Sequence, residues 1–141
     1  MYQYNNYEEW PDDIYPSRSL LEYDIQLSRL HLVVDRNDPN HILGPFVMVH
    51  DDEYEAIEGS WINKEPYIAI HRIASSFEKK NLVGNVINYC LTQGNNIRMD
   101  IFEDNYIMQN ILPMYGFIRC GNLIAQNGAA KIAYQLYVQP E

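Results

Sequence analysis

The sequence predicts a mixed fold, α+β (α/β mixed), with a mostly antiparallel sheet and flanking helices. Three observations predict it. Residues 67–74, Tyr-Ile-Ala-Ile-His-Arg-Ile-Ala, form an apolar run of strand length, suited to a strand buried on both faces. Val83, Val86, Ile87, Cys90 and Leu91 then fall at i, i+3, i+4, i+7 and i+8, which is one stripe of a helix, with Asn81, Asn85 and Asn88 off it. Around this strand-helix unit, short apolar runs come in pairs separated by turn chemistry.

In chain order, residues 1–16 are rich in Tyr, Asn, Asp and Pro and read as an irregular arm that Trp10, Ile14 and Tyr15 pack onto the body. Ser19 and Glu22 have capping-box spacing, and Leu20, Leu21, Ile25 and Leu27 carry the helix they open to near Ser28. Residues 30–34 and 42–49 are strands on either side of the turn cluster 36–40, so they read as a hairpin. Gly44 and Pro45 signal a bulge in the second of them. The strand at 67–74 and the helix through Leu91 follow, with Gly94 as the stop signal. Residues 97–101 form a strand, and Glu103-Asp104-Asn105 opens a short helix carrying Ile107, Met108, Ile111 and Leu112, which Pro113 brings to an end. Residues 117–124 and 131–138 are two strands joined through Gln126-Asn127-Gly128, a tight-turn signal.

The 141 residues read as one domain, long enough to bury a core. There is no apolar run of membrane-crossing length and no basic, apolar leader at residues 1–10, so the expected setting is the cytoplasm. Cys90 and Cys120 match no metal spacing and read as reduced thiols. The net charge of -9 argues against nucleic acid, which requires a basic footprint, and favours a cationic acceptor such as an amine.

Candidate chemistry gathers around the central unit. The loop after residue 74 holds Lys79, Lys80 and Gly84 ahead of the helix, where free backbone N–H groups and the helix dipole suit a phosphate; the same loop also serves as a plain connection. His71 is a candidate general base, or a strand histidine satisfied by a hydrogen bond. Glu58 is a second base candidate. Arg72 is expected to hold a carboxylate such as Asp100. Asp51, Asp52, Glu53, Glu55 and Glu58 form an acidic loop that reads as solvated, without calcium-loop spacing, so no metal is expected.

Several blocks then occur in a recognisable order: Tyr15-Pro16-Ser17 with Asp24-Ile25; Tyr67 followed by His71-Arg72-Ile73-Ala74; Arg98-Met99-Asp100; Glu103-Asp104-Asn105 with Met108; Gly116-Phe117; Cys120-Gly121; and Ile132-Ala133-Tyr134. Over roughly residues 10–137 the chain resembles the GNAT superfamily of acetyl-CoA-dependent N-acetyltransferases, in particular a bacterial branch of small members. The resemblance implies one N-acetyltransferase-like domain, 1–141, with a sheet splayed between its fourth and fifth strands, here 67–74 and 97–101. It implies that the pantetheine arm of acetyl-CoA pairs with Ile73, Ala74 and Ser75. The diphosphate would sit on Lys79, Lys80, Asn81, Leu82, Val83, Gly84 and Asn85, with Asn105 beside the arm. The implied reaction is acetyl transfer to a primary amine of a small molecule, protein or peptide; the alternative is a degenerate acyl-CoA-binding or interaction module of the same fold.

The chain departs from the family pattern in three places. Asn81 and Val83 replace glycines of the diphosphate loop, and Leu112 stands where many members have a tyrosine acid. The usual first strand and helix have no counterpart ahead of Trp10, so the chain reads as N-terminally truncated. A sheet edge left open in this way calls for cover by the N-terminal arm or by a second copy in a homodimer.

Overall fold

A computed structural model describes residues 17–50, 52, 54, 56–74, 81–125 and 128–140. The elements run α1 (Arg18–Gln26), β1 (Leu30–Asp35), β2 (Asp38–His50), β3 (Glu58–Gly59), β4 (Ile68–His71), α2 (Leu82–Leu91), β5 (Asn96–Phe102), α3 (Tyr106–Met114), β6 (Ile118–Ile124) and β7 (Ala130–Tyr137). The strands form one seven-stranded sheet in the order β1-β2-β4-β5-β7-β6-β3. Every pairing is antiparallel except β4 with β5. The mixed, mostly antiparallel fold that the sequence predicts is the fold observed.

The alternation of the strands gives the sheet two unlike faces. Ile68 and Ile70 of β4, Ile97, Met99 and Ile101 of β5, and Ile132, Tyr134 and Leu136 of β7 form a single core with Leu82, Val86, Ile87 and Cys90 of α2 and Met108 and Leu112 of α3. The opposite face carries Asn96, Arg98 and Asp100 of β5 and Gln135 of β7, with Ala69 packed against Tyr54 and Tyr67. Asn96, Arg98 and Gln135 are buried there. Gln135 donates to Asn96 Oδ1 at 2.7 Å and to Asn63 Oδ1 at 3.1 Å, so the layer is largely satisfied by its own amides.

Several local expectations are corrected. Ser17, not Ser19, caps α1: its extended backbone (φ -69°, ψ 159°) lets the hydroxyl accept from Leu20 N at 3.1 Å, while Glu22 pairs with Arg18 at 3.0 Å. The buried residue of α1 is Asp24, whereas Ile25 and Leu27 are exposed, so the apolar positions do not mark its inner face. Residues 58–59 form a strand the sequence did not announce, because so short a segment has no period and depends on pairing with Asn122 and Gly121. Pro113 lies inside the last turn of α3, which continues to Met114. The tight turn around residues 126–127 lies outside the described residues, although Ala125 N bonds Ala129 O across it at 2.9 Å.

The most consequential correction concerns β4. The apolar run predicts a strand over 67–74, but regular pairing ends at His71, and Arg72 adopts φ +53°. A left-handed residue reverses the side-chain alternation and turns the strand out of register. Pairing of β4 with β5 therefore stops at Ile70 opposite Met99, while β5 continues along β7 to Phe102. The two strands part at the C-terminal end of β4.

Candidate active site

The position of His71 follows from this split. As the last residue of β4 it lies on the polar face, one step beyond the final β4–β5 pair. Its Nδ1 lies 3.5 Å from Asp100 Oδ1 on β5. Its Nε2 lies 2.8 Å from Asp52 Oδ2 on the β2–β3 loop. Asp100 holds two further donors: the Tyr54 hydroxyl at 2.6 Å and Lys131 Nζ at 2.9 Å. Tyr54 N bonds the Tyr67 hydroxyl at 2.9 Å, and that hydroxyl donates to the Asp52 carbonyl, which fixes the loop over the sheet. Tyr54 also stacks obliquely on Trp61 and on His71, with ring centres 5.2 and 5.6 Å apart.

The electrostatics follow from these contacts. Burial alone would lower the His71 pKa, but the hydrogen bonds and charges of Asp100 and Asp52 outweigh it and hold the ring above its ordinary value. Burial pushes Asp100 up, yet the hydrogen bond from His71, the Lys131 charge and the Tyr54 hydroxyl hold it well below the usual carboxylate range. Tyr54 is raised far above an ordinary phenol by burial and by facing Asp100. Asp100 is thus a fixed anion, and Asp52, with 28% of its side chain exposed, is the carboxylate of this cluster that reaches water.

Arg72 does not hold Asp100. Its Nε and Nη2 each donate to a different oxygen of Asp24 at 2.7 Å, a bidentate pair, and Asp24 is only 1% exposed. The left-handed turn at Arg72 sends its guanidinium toward α1 and leaves Asp100 to His71. Glu58, the second base candidate, falls exposed on β3 at one edge of the sheet, with β6, β7 and β5 between it and β4. The fold does not bring it to His71. Asp52 lies in the stretch read as a solvated acidic loop and is instead a partner of His71; no period marks it, and only the tertiary contact singles it out.

On the cofactor side, Ile73 and Ala74 continue from the turned end of β4. Ala74 N bonds Pro45 O at 3.1 Å. A Cβ on Gly44 would stand 2.1 Å from Ala74 O, so only glycine lets this backbone lie so close to β2. Asn81 precedes α2 in the left-handed region (φ 66°, ψ 22°) and its side chain makes no capping bond. Leu82, Val83 and Gly84 form the first turn of the helix, so the positive φ falls on Asn81, which tolerates it, and Val83 is spared. Asn85 N bonds Asn81 O at 2.9 Å, as a regular helix requires. Gly84 is needed for space: a Cβ there would meet the Tyr115 hydroxyl at 2.2 Å. Asn105 caps α3, accepting from Met108 N at 3.2 Å. Leu112 is fully buried in the core. Ser75, Lys79 and Lys80 lie outside the described residues. Beside Asn105, a hollow of about 350 Å³ is lined by Phe102, Glu103, Asp104, Tyr106, Ala129 and Ala130. Among the described residues no cluster of His, Cys, Asp and Glu is arranged to hold a metal ion, and no helix is long and apolar enough to cross a membrane.

No family profile and no curated relative matches the chain by sequence. Solved structures do match it. An acetyltransferase of the GNAT family from Streptococcus agalactiae superposes with a TM-score of 0.75 at 25% identity, over 96% of this chain and 80% of that one. A GNAT-family acetyltransferase from Bacillus cereus gives a TM-score of 0.59 at 20% identity, over 87% of this chain and 80% of that one. The NatC complex bound to Gag peptide and CoA gives 0.64 at 14% identity, over 94% of this chain and 85% of that one. With the parallel β4–β5 pair splitting ahead of α2, the chain has the fold of the GNAT superfamily of acetyltransferases.

Proposed function

We propose that residues 1–141 act as one acetyl-CoA-dependent N-acetyltransferase domain that moves an acetyl group to a primary amine of a small molecule, protein or peptide. The observation that carries this reading is the split beyond Ile70 and Met99, with His71 at its mouth and α2 opening beside it. In this reading the Ile73–Ala74 backbone and Ser75 bind the pantetheine arm. The N–H groups of Leu82, Val83 and Gly84, with Lys79, Lys80 and Asn81, hold the diphosphate, whereas the Asn85 N–H is already bonded to Asn81 O. Asn105 borders the arm. The residues fit the group at the entry to α2: Asn81 takes the left-handed conformation there, and the N–H groups of Leu82, Val83 and Gly84 lie ahead of the first intrahelical bond. The NatC structure, bound to CoA and a peptide on the same fold, supports both the cosubstrate and the acceptor class.

The acceptor amine must be uncharged to attack the thioester carbonyl, so it needs a proton acceptor, and His71 at the mouth of the split is the proposed one. Acetyl-CoA at a hundred times its Kd should stabilise the protein by about 2.7 kcal/mol and raise Tm accordingly. Release of free CoA over a panel of amines then identifies acceptors. An unchanged Tm at millimolar acetyl-CoA would sink the reading. The buried Leu112 in place of a tyrosine acid favours the second reading, a binding module, and stabilisation by acetyl-CoA without CoA release would select it. A homodimer is the proposed assembly: β1 is an edge strand whose Leu32 and Val34 are exposed, and light scattering over a range of concentrations tests it.

A further inference from the structure

Arg98 of β5 is a buried cation without a carboxylate counter-ion. It is 6% exposed, no carboxylate pairs with it among the described residues, and its Nε has no hydrogen-bond partner there. A charge so placed is unfavourable unless other groups hold it. Two aromatic faces do: Cζ lies 4.0 Å from the centre of the Tyr67 ring and 4.2 Å from that of Trp61. Nη2 donates to the Asn63 carbonyl at 2.8 Å. One guanidinium thus ties residues 61, 63 and 67 to the sheet. Tyr67 carries the hold further. Its hydroxyl accepts from Tyr54 N at 2.9 Å and donates to the Asp52 carbonyl, and a phenol has the proton and the lone pairs to make both bonds at once. From there Asp52 Oδ2 reaches His71 Nε2 at 2.8 Å, and the Tyr54 hydroxyl reaches Asp100 Oδ1 at 2.6 Å. The charged and titratable groups around His71 are Asp52 and Tyr54 of the β2–β3 loop, Asp100 of β5, Lys131 of β7 through its bond to Asp100, and the adjacent Arg72, which is turned to Asp24 of α1.

We propose that Tyr67, braced by Arg98 and Trp61, is the positioning residue of the candidate active site: its one hydroxyl sets Asp52 against His71 and Tyr54 against Asp100. Its part in acetyl transfer rests on the acetyltransferase reading; its hold on His71 does not. The brace gives the buried arginine a purpose that an apolar residue could not serve. A flat cation packs on both rings and still donates to the Asn63 carbonyl, whereas an aliphatic side chain could do only the first. It also accounts for the order of the polar loop. Asp52 and Tyr54 lie two positions apart, and one hydroxyl bonds the carbonyl of the first and the N–H of the second, so both side chains are placed by a single contact.

The test uses the full chain and follows the His71 ring through pH by ¹⁵N NMR. Tyr67→Phe keeps the ring that packs on Arg98 and removes only the hydroxyl. With Asp52 released, the charged imidazole loses a hydrogen-bond acceptor, so its titration should move to lower pH by about one unit. Asp52→Asn should lower it by a similar amount in the wild type. In the Tyr67→Phe background it should add less than about a third of a unit, because both changes remove the same contact. Arg98→Lys keeps the positive charge but loses the flat face, so a smaller shift in the same direction reads the brace by position and not by charge. In a second arm, CoA release from an acetylated amine is followed across pH, and the acidic limb of kcat/KM should move with the ring's titration in Tyr67→Phe. A Tm that falls in Tyr67→Phe while the His71 titration stays at its wild-type pH marks a merely structural tyrosine and overturns the proposal. A fully additive Asp52→Asn shift overturns the route through Asp52. An unmoved titration in Arg98→Lys overturns the brace, and this variant decides it even where Tyr67→Phe does not fold. A rate limb that stays put while the ring's titration moves overturns the part in transfer. If no amine in the panel is acetylated, the transferase reading fails and takes that part with it, while the NMR arm still decides whether Tyr67 positions His71.

Discussion

Asp24→Asn tests how β4 is held open. Asp24 is 1% exposed and Arg72 12% exposed, and two 2.7 Å bonds join them. With charge centres about 4 Å apart and an effective dielectric of about 20, the attraction is about 4 kcal/mol. Removing one partner of such a pair leaves the other charge buried and costs about 3–5 kcal/mol. Asparagine keeps the shape and one acceptor oxygen, so the low end applies, about 3 kcal/mol, or a fall in Tm of about 10 °C for a chain of this length. The pair also steadies the left-handed Arg72 that turns Ile73 and Ala74 away from β5. Asp24→Asn should therefore weaken stabilisation by acetyl-CoA as well as lower Tm. Arg72→Gly should cost about 1 kcal/mol less than Arg72→Ala, because glycine adopts φ +53° without strain. Calorimetry of the three variants, with and without acetyl-CoA, measures all of this. A Tm for Asp24→Asn within about 2 °C of wild type would refute the reasoning, because removing one partner of a buried pair costs about 3–5 kcal/mol.

The other predictions concern α2 and the pH dependence of stability. Gly84→Ala places a Cβ against Tyr115, so it should destabilise by about 1 kcal/mol despite the better helix propensity of alanine. In a Tyr115→Ala background the sign should reverse, as read by urea unfolding. Asn81→Ala should cost about 1 kcal/mol, because alanine tolerates the left-handed region poorly, whereas Asn81→Gly should be neutral to stabilising. The folded pKa of His71 is raised, so its stabilisation is fully present below its unfolded value of about 6.5 and is lost as pH climbs through the folded value. The Asp100 pKa is depressed, so its stabilisation is present above its unfolded value of about 3.9 and is lost as pH falls. Together these two groups place their maximum between about pH 4 and 6.5. Urea unfolding across pH measures it, and His71→Gln should flatten the decline on the alkaline side.

The sequence by itself determined the class of fold, the order of every element but β3, and the strand-helix unit at the centre. These follow from local periodicity, which a chain carries whether or not it is folded. It also pointed to His71, because an ionisable side chain within an apolar run is conspicuous in one dimension. The partners of His71 were not legible in the same way. Asp52 and Tyr54 belong to a polar loop with no repeat, and Asp100 and Lys131 lie 29 and 60 positions further along the chain. What joins them is strand order, β4 beside β5 beside β7, together with a loop folded back by the Tyr67 hydroxyl. Periodicity also misread the end of β4, because all eight residues of the run are compatible with a strand, and only the left-handed Arg72, held by a carboxylate 48 positions earlier, stops it. Local pattern therefore gave most of the elements, while the split between β4 and β5, and the cluster of His71 with Asp52 and Asp100 at its mouth, came from contacts between residues far apart in the chain, which only the tertiary structure brings together.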